Sequence, residues 1–271
     1  MKISNILSRR NRILLRELVV TDFKLRYQGS ALGYLWSLLK PLMIFGIMYV
    51  IFIKFLRFGV GVIEHPAIYL LMGIVLWSFF TEATNQGMQA IVSRGDLIRK
   101  INFPKYIIVI SGTISALINL LFNLVVLFVF ALFNGVAFHM TTLLLPVDVG
   151  LLYVLALSIA FLLSAAFVKF RDISYIWDVV MQAAFYVVPI IYPMQMVLQQ
   201  SPLAAKAIML NPVATILQDA RYNVITPTSL KITDLIHNPA IVTIPFVIIG
   251  LLIIIAVLYF RHNSRYFAEN V

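Results

Sequence analysis

The residues best equipped for chemistry are sparse and scattered. The four histidines, His65, His139, His237 and His262, stand far apart, and no pair has the spacing at which ring nitrogens close on one metal ion. Carboxylates do not pair either. Glu82, Asp148 and Asp178 stand singly in apolar sequence, while Asp96, Asp172, Asp219 and Asp234 lie in the connections. No Gly is followed by Lys, so the loop that cradles nucleotide phosphates, G-x-x-x-x-G-K-[ST], is missing. There is no cysteine, which removes disulfides and thiolate metal sites. Metal-dependent or acid–base catalysis has little to work with, and any ATP that drives this chain must be bound by another one.

Polar side chains inside apolar sequence are what remains. Ser111, Ser115, Asn119 and Asn123 recur every four residues and form one helical stripe; Glu82, Asn85, Gln86 and Gln89 form a second. Such stripes line a hydrated path, or they join helices through hydrogen bonds of typically ~0.6 kcal/mol each, and spacing alone does not choose. Lys40 and Glu82 are costly in hydrocarbon unless hydrated or paired, which makes an ion pair between them one expectation. Aromatic residues cluster in two apolar segments. Rings at the ends of spans form interfacial belts, whereas rings at mid-span can stack on the faces of sugars.

The elements that carry these residues follow from composition. The 271 residues are 62% hydrophobic and 12% charged, far from the balance of a water-soluble domain. Unbroken apolar runs exceed the ~20 residues that cross a ~30 Å hydrocarbon core, and none alternates as a barrel strand would. The expected fold is an all-α integral membrane protein with about six spans, near 33–56, 67–91, 105–134, 143–168, 173–193 and 239–260. Seven basic residues precede Gly29, four lie in 94–105, two in 169–171 and two near the C-terminus, whereas the intervening connections are poorer. By the positive-inside rule both termini are cytoplasmic. The net charge of +10 then reads as topology and contact with anionic membrane lipids, not as nucleic-acid binding.

Three further segments stand out. Residues 4–27 put Leu7, Leu14, Leu18 and Leu25 on one helical face with Arg9, Arg12 and Arg16 largely opposite, as in an interfacial helix; Asp22 spoils the leucine face. In 94–104, Leu97 and Ile101 are four apart and should share a face, with Arg99 and Lys100 projecting away and Asp96 placed to cap. Residues 194–238 are broken by proline yet partly apolar, which fits short helices at or in the outer leaflet, or an ordinary folded outer loop.

Four motifs carry a resemblance: TDFKLRYQGSALGYLWSLLKPL from Thr21, GDLIRKINFPK from Gly95, FRDIS with YVVPIIYP from Phe170 and Tyr186, and LNPVATILQDARY with RYFAE from Leu210 and Arg265. Jointly and in this order they resemble the membrane (permease) subunits of type-2 ATP-binding-cassette exporters for O-antigen, teichoic acid and related cell-wall polysaccharides. The resemblance implies a single permease domain over 1–271 in the bacterial cell membrane, with gate helices in 194–238. It implies a second copy of this chain and two copies of a separate ABC ATPase, which would hold ATP and magnesium while this chain binds no cofactor. The cargo implied is polysaccharide on an undecaprenyl-type carrier.

On that basis Asp96, Leu97, Ile98, Arg99, Lys100 and Ile101 are expected to couple to the ATPase. Arg16, Lys24 and Arg26 would meet the substrate headgroup. Trp36, Phe45, Tyr49, Phe185, Tyr186 and Tyr192 are candidates for the glycan pathway. A type-2 exporter of drugs or small lipids, and an ion-coupled secondary transporter, are the alternatives.

Overall fold

The computed structural model describes residues 9–27, 32–101 and 103–267, and within helix α1 the side chains of residues 23 and 25–27 fall outside the description. Among the described residues the chain is helical and contains no strand. Its helices are α1 (Arg9–Tyr27), α2 (Leu35–Met48, continued by a π-helical turn, Tyr49–Phe55), α3 (Pro66–Gln89), α4 (Gly95–Lys100) and α5 (Tyr106–Phe133). These are followed by α6 (Leu145–Lys169), α7 (Ile173–Val187), α8 (Met194–Gln200), α9 (Pro202–Met209), α10 (Pro212–Val224), α11 (Ile232–Leu235), α12 (Pro239–Val242) and α13 (Ile244–Asn263).

Among the described residues five segments are long and apolar enough to cross a membrane: Leu35–Phe55, Pro66–Gln89, Tyr106–Phe133, Met140–Lys169 and Pro239–Asn263. The sixth expected span, 173–193, is helical only to Val187. Fifteen helical residues reach about 22 Å, short of a ~30 Å core. The cause is Pro189, which biases the residue before it away from helix; Val188 is accordingly extended, with φ −73° and ψ 135°. Tyr192 closes the end by donating its hydroxyl to the carbonyls of Val187, at 2.8 Å, and Tyr186, at 3.2 Å.

The spans are far from equivalent. In α3 the buried share of the most apolar stretch is 78%, against 11% for Leu35–Phe55 and 17% for Pro239–Asn263, so α3 is the post around which the others pack. Close approach depends on small residues, as usual where helices meet in lipid. A Cβ at Gly87 of α3 would run into Ala160 of α6, and one at Gly112 of α5 would touch the backbone of Gln86 at 3.4 Å. Pro41 inside α2 has no N–H to offer the carbonyl of Ser37 one turn earlier. That carbonyl accepts instead from Asn123 Nδ2 of α5, at 3.2 Å.

Packing divides into three clusters. The largest holds the middle of the bundle, from Ile68 to Ala83 on α3 with Leu120, Leu124, Leu152 and Ala156. A second lies at what we call the basal end, where Leu18 of α1, Ile98 of α4, Phe103, Ile107, Phe260 and Phe267 meet. The helix before the first span, the turn between the second and third, and the segment after the last therefore share one end, as the charge distribution required. A third cluster, Met194, Ala205, Met209, Ile232, Leu235 and Ile236, binds the short helices of the proline-broken region into a folded cap at the distal end.

Candidate functional site: a basal turn, a polar cavity and a distal clamp

At the basal end, α1 lies against the start of α5. Arg9, Arg12, Arg16 and Lys24 are exposed, and Leu18 is buried. Asp22, which interrupts the leucine face, forms an ion pair with Arg94, and Arg94 Nη1 also donates to Ser111 Oγ at 2.9 Å. The misplaced carboxylate is therefore the link between α1, the α4 turn and α5. Partial burial of the Arg94 guanidinium lowers its pKa, although its charge is retained at any physiological pH. Lys105 donates to the carbonyl of Ser264 at 2.6 Å and fixes the C-terminal segment to the same turn. Of the expected headgroup contacts, Arg16 and Lys24 stand exposed on α1, while the side chain of Arg26 lies outside the described residues.

The α4 turn corrects two expectations. Leu97 and Ile101 do not form a helical ridge, because α4 ends at Lys100 and Ile101 is extended, with φ −130° and ψ 131°. Ile98 is buried in the basal cluster and Leu97 packs against it, which leaves Ile101 as the exposed apolar residue. Asp96 does not cap either. The N-cap position is Arg94, no side chain caps it, and Asp96 sits exposed inside the first turn, where its charge only favours the helix dipole. Asp96, Arg99 and Lys100 remain at the surface.

In mid-bundle, α2, α3, α5 and α7 line a half-open cavity of about 1000 Å³. Glu82, Asn85 and Gln86 of one polar stripe and Asn119 and Asn123 of the other line it; Ser111, Ser115 and Gln89 lie outside the lining, Ser111 in the basal network with Arg94. Asn119 Nδ2 and Gln86 Nε2 donate to the same oxygen of Glu82, Oε1, at 2.6 and 2.7 Å. Lys40 and Asp178 lie on the same walls, both exposed. The Asn119–Glu82 bond joins α5 to α3, the Gln86–Glu82 bond lies within α3, and Ser37, Lys40, Gln86 and Asp178 front open space.

The aromatic candidates separate. Trp36, Phe185 and Tyr186 line the cavity. Phe185 packs edge-on between Trp77, centroids 6.2 Å apart, and Tyr186, at 5.4 Å, and so builds one continuous ring-lined wall. Phe45 and Tyr49 do not line it; they pack on each other at 5.8 Å, and Phe45 also meets Phe130 at 6.3 Å. Tyr192 is the cap of α7 described above. Trp77 and Gln182 belong to the lining and were missed. Trp77 is indistinguishable by position from an interfacial belt ring, and Gln182 lies a turn beyond Asp178 with no pattern to mark it.

At the distal end, Arg221 of α10 is fully buried. Its Nε and Nη2 donate to the carbonyl of Tyr69 at 3.2 and 3.0 Å, Nη2 also reaches the carbonyl of Ile190 at 2.9 Å, and Nη1 reaches that of Pro189. The guanidinium stacks 3.5 Å from the centre of the Tyr69 ring, whose hydroxyl donates to Gln218 at 3.0 Å. These carbonyls include those freed where α7 stops, so one cation ties the short distal helices to α3 and to the break after α7. Nothing in the sequence singled out Arg221. Nearby Asp219 has its pKa raised to about 6, chiefly by burial and next by the carboxylate of Asp148.

The family described as ABC-2 type transporter matches residues 13–225. An O-antigen export system permease protein RfbA of Myxococcus xanthus is 28% identical over 206 residues, covering 75% of this chain and 77% of the relative. A protein of the same name from Klebsiella pneumoniae is 25% identical over 177 residues, covering 65% and 67%.

Proposed function

This chain belongs to the ABC-2 type transporter family, and from that premise we propose that it carries lipid-linked polysaccharide out of the bacterial cell. The coarse reading stands without proposal: it is a multi-pass membrane protein, the transmembrane subunit of an ABC exporter. The cargo rests on one observation, the similarity to O-antigen export permeases over three quarters of the chain. The cavity is consistent with it, since a wall of rings facing a wall of amides matches a pyranose, which has apolar C–H faces and a rim of hydroxyls.

In this reading two copies of the chain flank the path and two ATPase subunits supply the work. Both termini are cytoplasmic and the distal cap is outside. The ATPase would meet the surface formed by Ile101, Asp96, Arg99 and Lys100. Arg16 and Lys24, with Arg26, would receive the pyrophosphate of the carrier as it reaches the basal end, since Arg can grip phosphate through two parallel hydrogen bonds. Chemistry on the cargo is not required of this chain.

Deleting the gene in its host should abolish the surface polysaccharide and leave its lipid-linked precursor inside the cell; an unchanged surface polysaccharide would end the proposal. Orientation is testable in this cysteine-free chain. Ser229 is buried, so Thr228, which is exposed, is the better distal reporter. An impermeant thiol reagent applied to intact cells should label Thr228→Cys and spare Ser93→Cys. For coupling, Ile101→Asp should release the ATPase on purification without unfolding the bundle. Leu97→Asp would confound the test, because Leu97 is part of the basal core.

A further inference from the structure

We propose that the Asp22–Arg94 ion pair is the positioning link through which the ATPase moves α1, the helix that carries Arg16 and Lys24. The inference rests on the reading that the ATPase meets the α4 turn at Ile101, Asp96, Arg99 and Lys100. A helix of six residues is unstable by itself and no side chain caps its start, so the direction of α4 is set from outside. Ile98 gives it depth in the basal cluster, and Arg94, at the N-cap position, ties it sideways. Nη2 of that guanidinium pairs with Asp22 Oδ1 of α1, and Nη1 donates to Ser111 Oγ of α5 at 2.9 Å. Ser111 can direct its one hydrogen to the carbonyl of Ile108, at 2.8 Å, or to Asp22 Oδ2, at 3.4 Å, so three elements meet in a single polar knot.

The knot differs in kind from the packing around it. Leu18 of α1 shares the basal cluster with Ile98, Phe103 and Phe267, and apolar burial of this sort holds α1 to the bundle without a preferred direction. The fork of Arg94 is rigid and directional. A shift at the start of α4 must carry Asp22 with it or break the pair. Asp22 is 26% exposed and Arg94 17%, so water and salt screen the pair less than they would at the open surface. Lys24 lies two residues beyond Asp22 and Arg16 six before it, both exposed, so the movement reaches the cations that would meet the carrier headgroup. This accounts for a carboxylate on the leucine side of α1. It weakens an interfacial helix, and serves only where a cation from the turn reaches it.

The test uses the complex of this chain with its ATPase in lipid nanodiscs and needs no cargo. An environment-sensitive bimane is attached at Glu17→Cys, an exposed position of α1 in this cysteine-free chain, and its emission is followed as ATP and magnesium are added. A complex without the introduced cysteine gives the background. ATP should change the emission of the parent complex. Asp22→Asn and Arg94→Gln should each cut that change at least about fivefold while ATP hydrolysis stays within about twofold of the parent, and exchanging the charges, Asp22→Arg with Arg94→Asp, should restore about half of it or more.

Leu18→Ala is the structural control. It loosens the seat of α1 and should lower the melting temperature, yet leave the ATP response in place. A response absent from the parent, retained in Asp22→Asn and Arg94→Gln, lost equally in Leu18→Ala, or not restored by the exchange would each overturn the proposal. So would single variants that lose ATP hydrolysis or the ATPase itself, because the pair would then serve assembly. Ile101→Asp judges the underlying reading separately. If that variant keeps its ATPase, the docking surface is wrong and the link falls with it; if it releases the ATPase while Asp22→Asn keeps the response, the surface stands and only the link falls.

Discussion

Arg221 and Glu82 reach the same helix near its two ends, and they solve the burial of charge in opposite ways. Around Arg221 every nitrogen donates to a backbone carbonyl, the ring of Tyr69 covers the planar face, and the side chain is fully buried. Around Glu82 the hydrogen bonds from Asn119 and Gln86 are side chain to side chain, and open volume adjoins them. A saturated charge makes a fixed joint. A polar cluster bordering open volume presents a face that a partner can meet. The distal half of α3 is therefore built to hold, and its basal half to be met.

The most severe way to break this contrast is Arg221→Leu, which strands three buried carbonyls and frees the cap from α3. Losing one partner of such a buried charged network costs about 3–5 kcal/mol, and little monodisperse protein should survive detergent extraction. Gly73→Ala attacks the same joint sterically, since its Cβ would fall 2.8 Å from the carbonyl oxygen of Ile190 and against the Arg221 guanidinium. Overpacking of this kind costs about 1–3 kcal/mol and should lower the melting temperature without abolishing assembly.

Asp219 sharpens the contrast through pH. Its folded pKa of about 6 lies above the ordinary 3.8, so the folded state favours the protonated form. Native stability is then highest below the unfolded value and falls as pH rises from about 4 through about 6. Asp219→Asn should stabilise the protein by up to about 2 kcal/mol at pH 7.5, with the gain vanishing toward pH 4. Thermal melts at the two pH values give the answer. The smallest effect on stability is expected in the cavity. Asn119→Ala removes one interhelical bond worth ~0.6 kcal/mol and should scarcely move the melt, yet it should slow export.

Much of the bundle is legible in the residues because crossing a bilayer needs long apolar runs, and α2, α3, α5, α6 and α13 declare themselves by length. The two polar stripes are equally visible, since i, i+4 repetition defines a helix face without any knowledge of neighbours. What cannot be read is which faces meet. That Asn119 would bond Glu82, 37 positions earlier, is a fact of packing. Ile101 shows a different limit: periodicity assigns it to a helical ridge, but a chain approaching Pro104 through Phe103, which is buried in the basal cluster, leaves the helix one residue too soon. Asp22 looked like a defect in an amphipathic pattern because its partner, Arg94, lies two elements away. Arg221 was invisible since a cation in a proline-rich connection normally faces water, and only the folded cap takes it inside.

Pro41 bears on how the bundle moves. A helix with a rung missing from its own ladder bends most easily there, and in α2 the vacant rung is held from outside by Asn123. Both Pro41 and Asn123 are part of the cavity wall. The stiffness of α2 is therefore not a property of α2 alone. While the amide of α5 grips the Ser37 carbonyl, the two helices flex as one beam; when a water or a passing hydroxyl takes that carbonyl instead, α2 becomes two shorter rods joined at a hinge. The bend of α2 and the occupancy of one hydrogen bond are thereby tied together at the wall of the cavity.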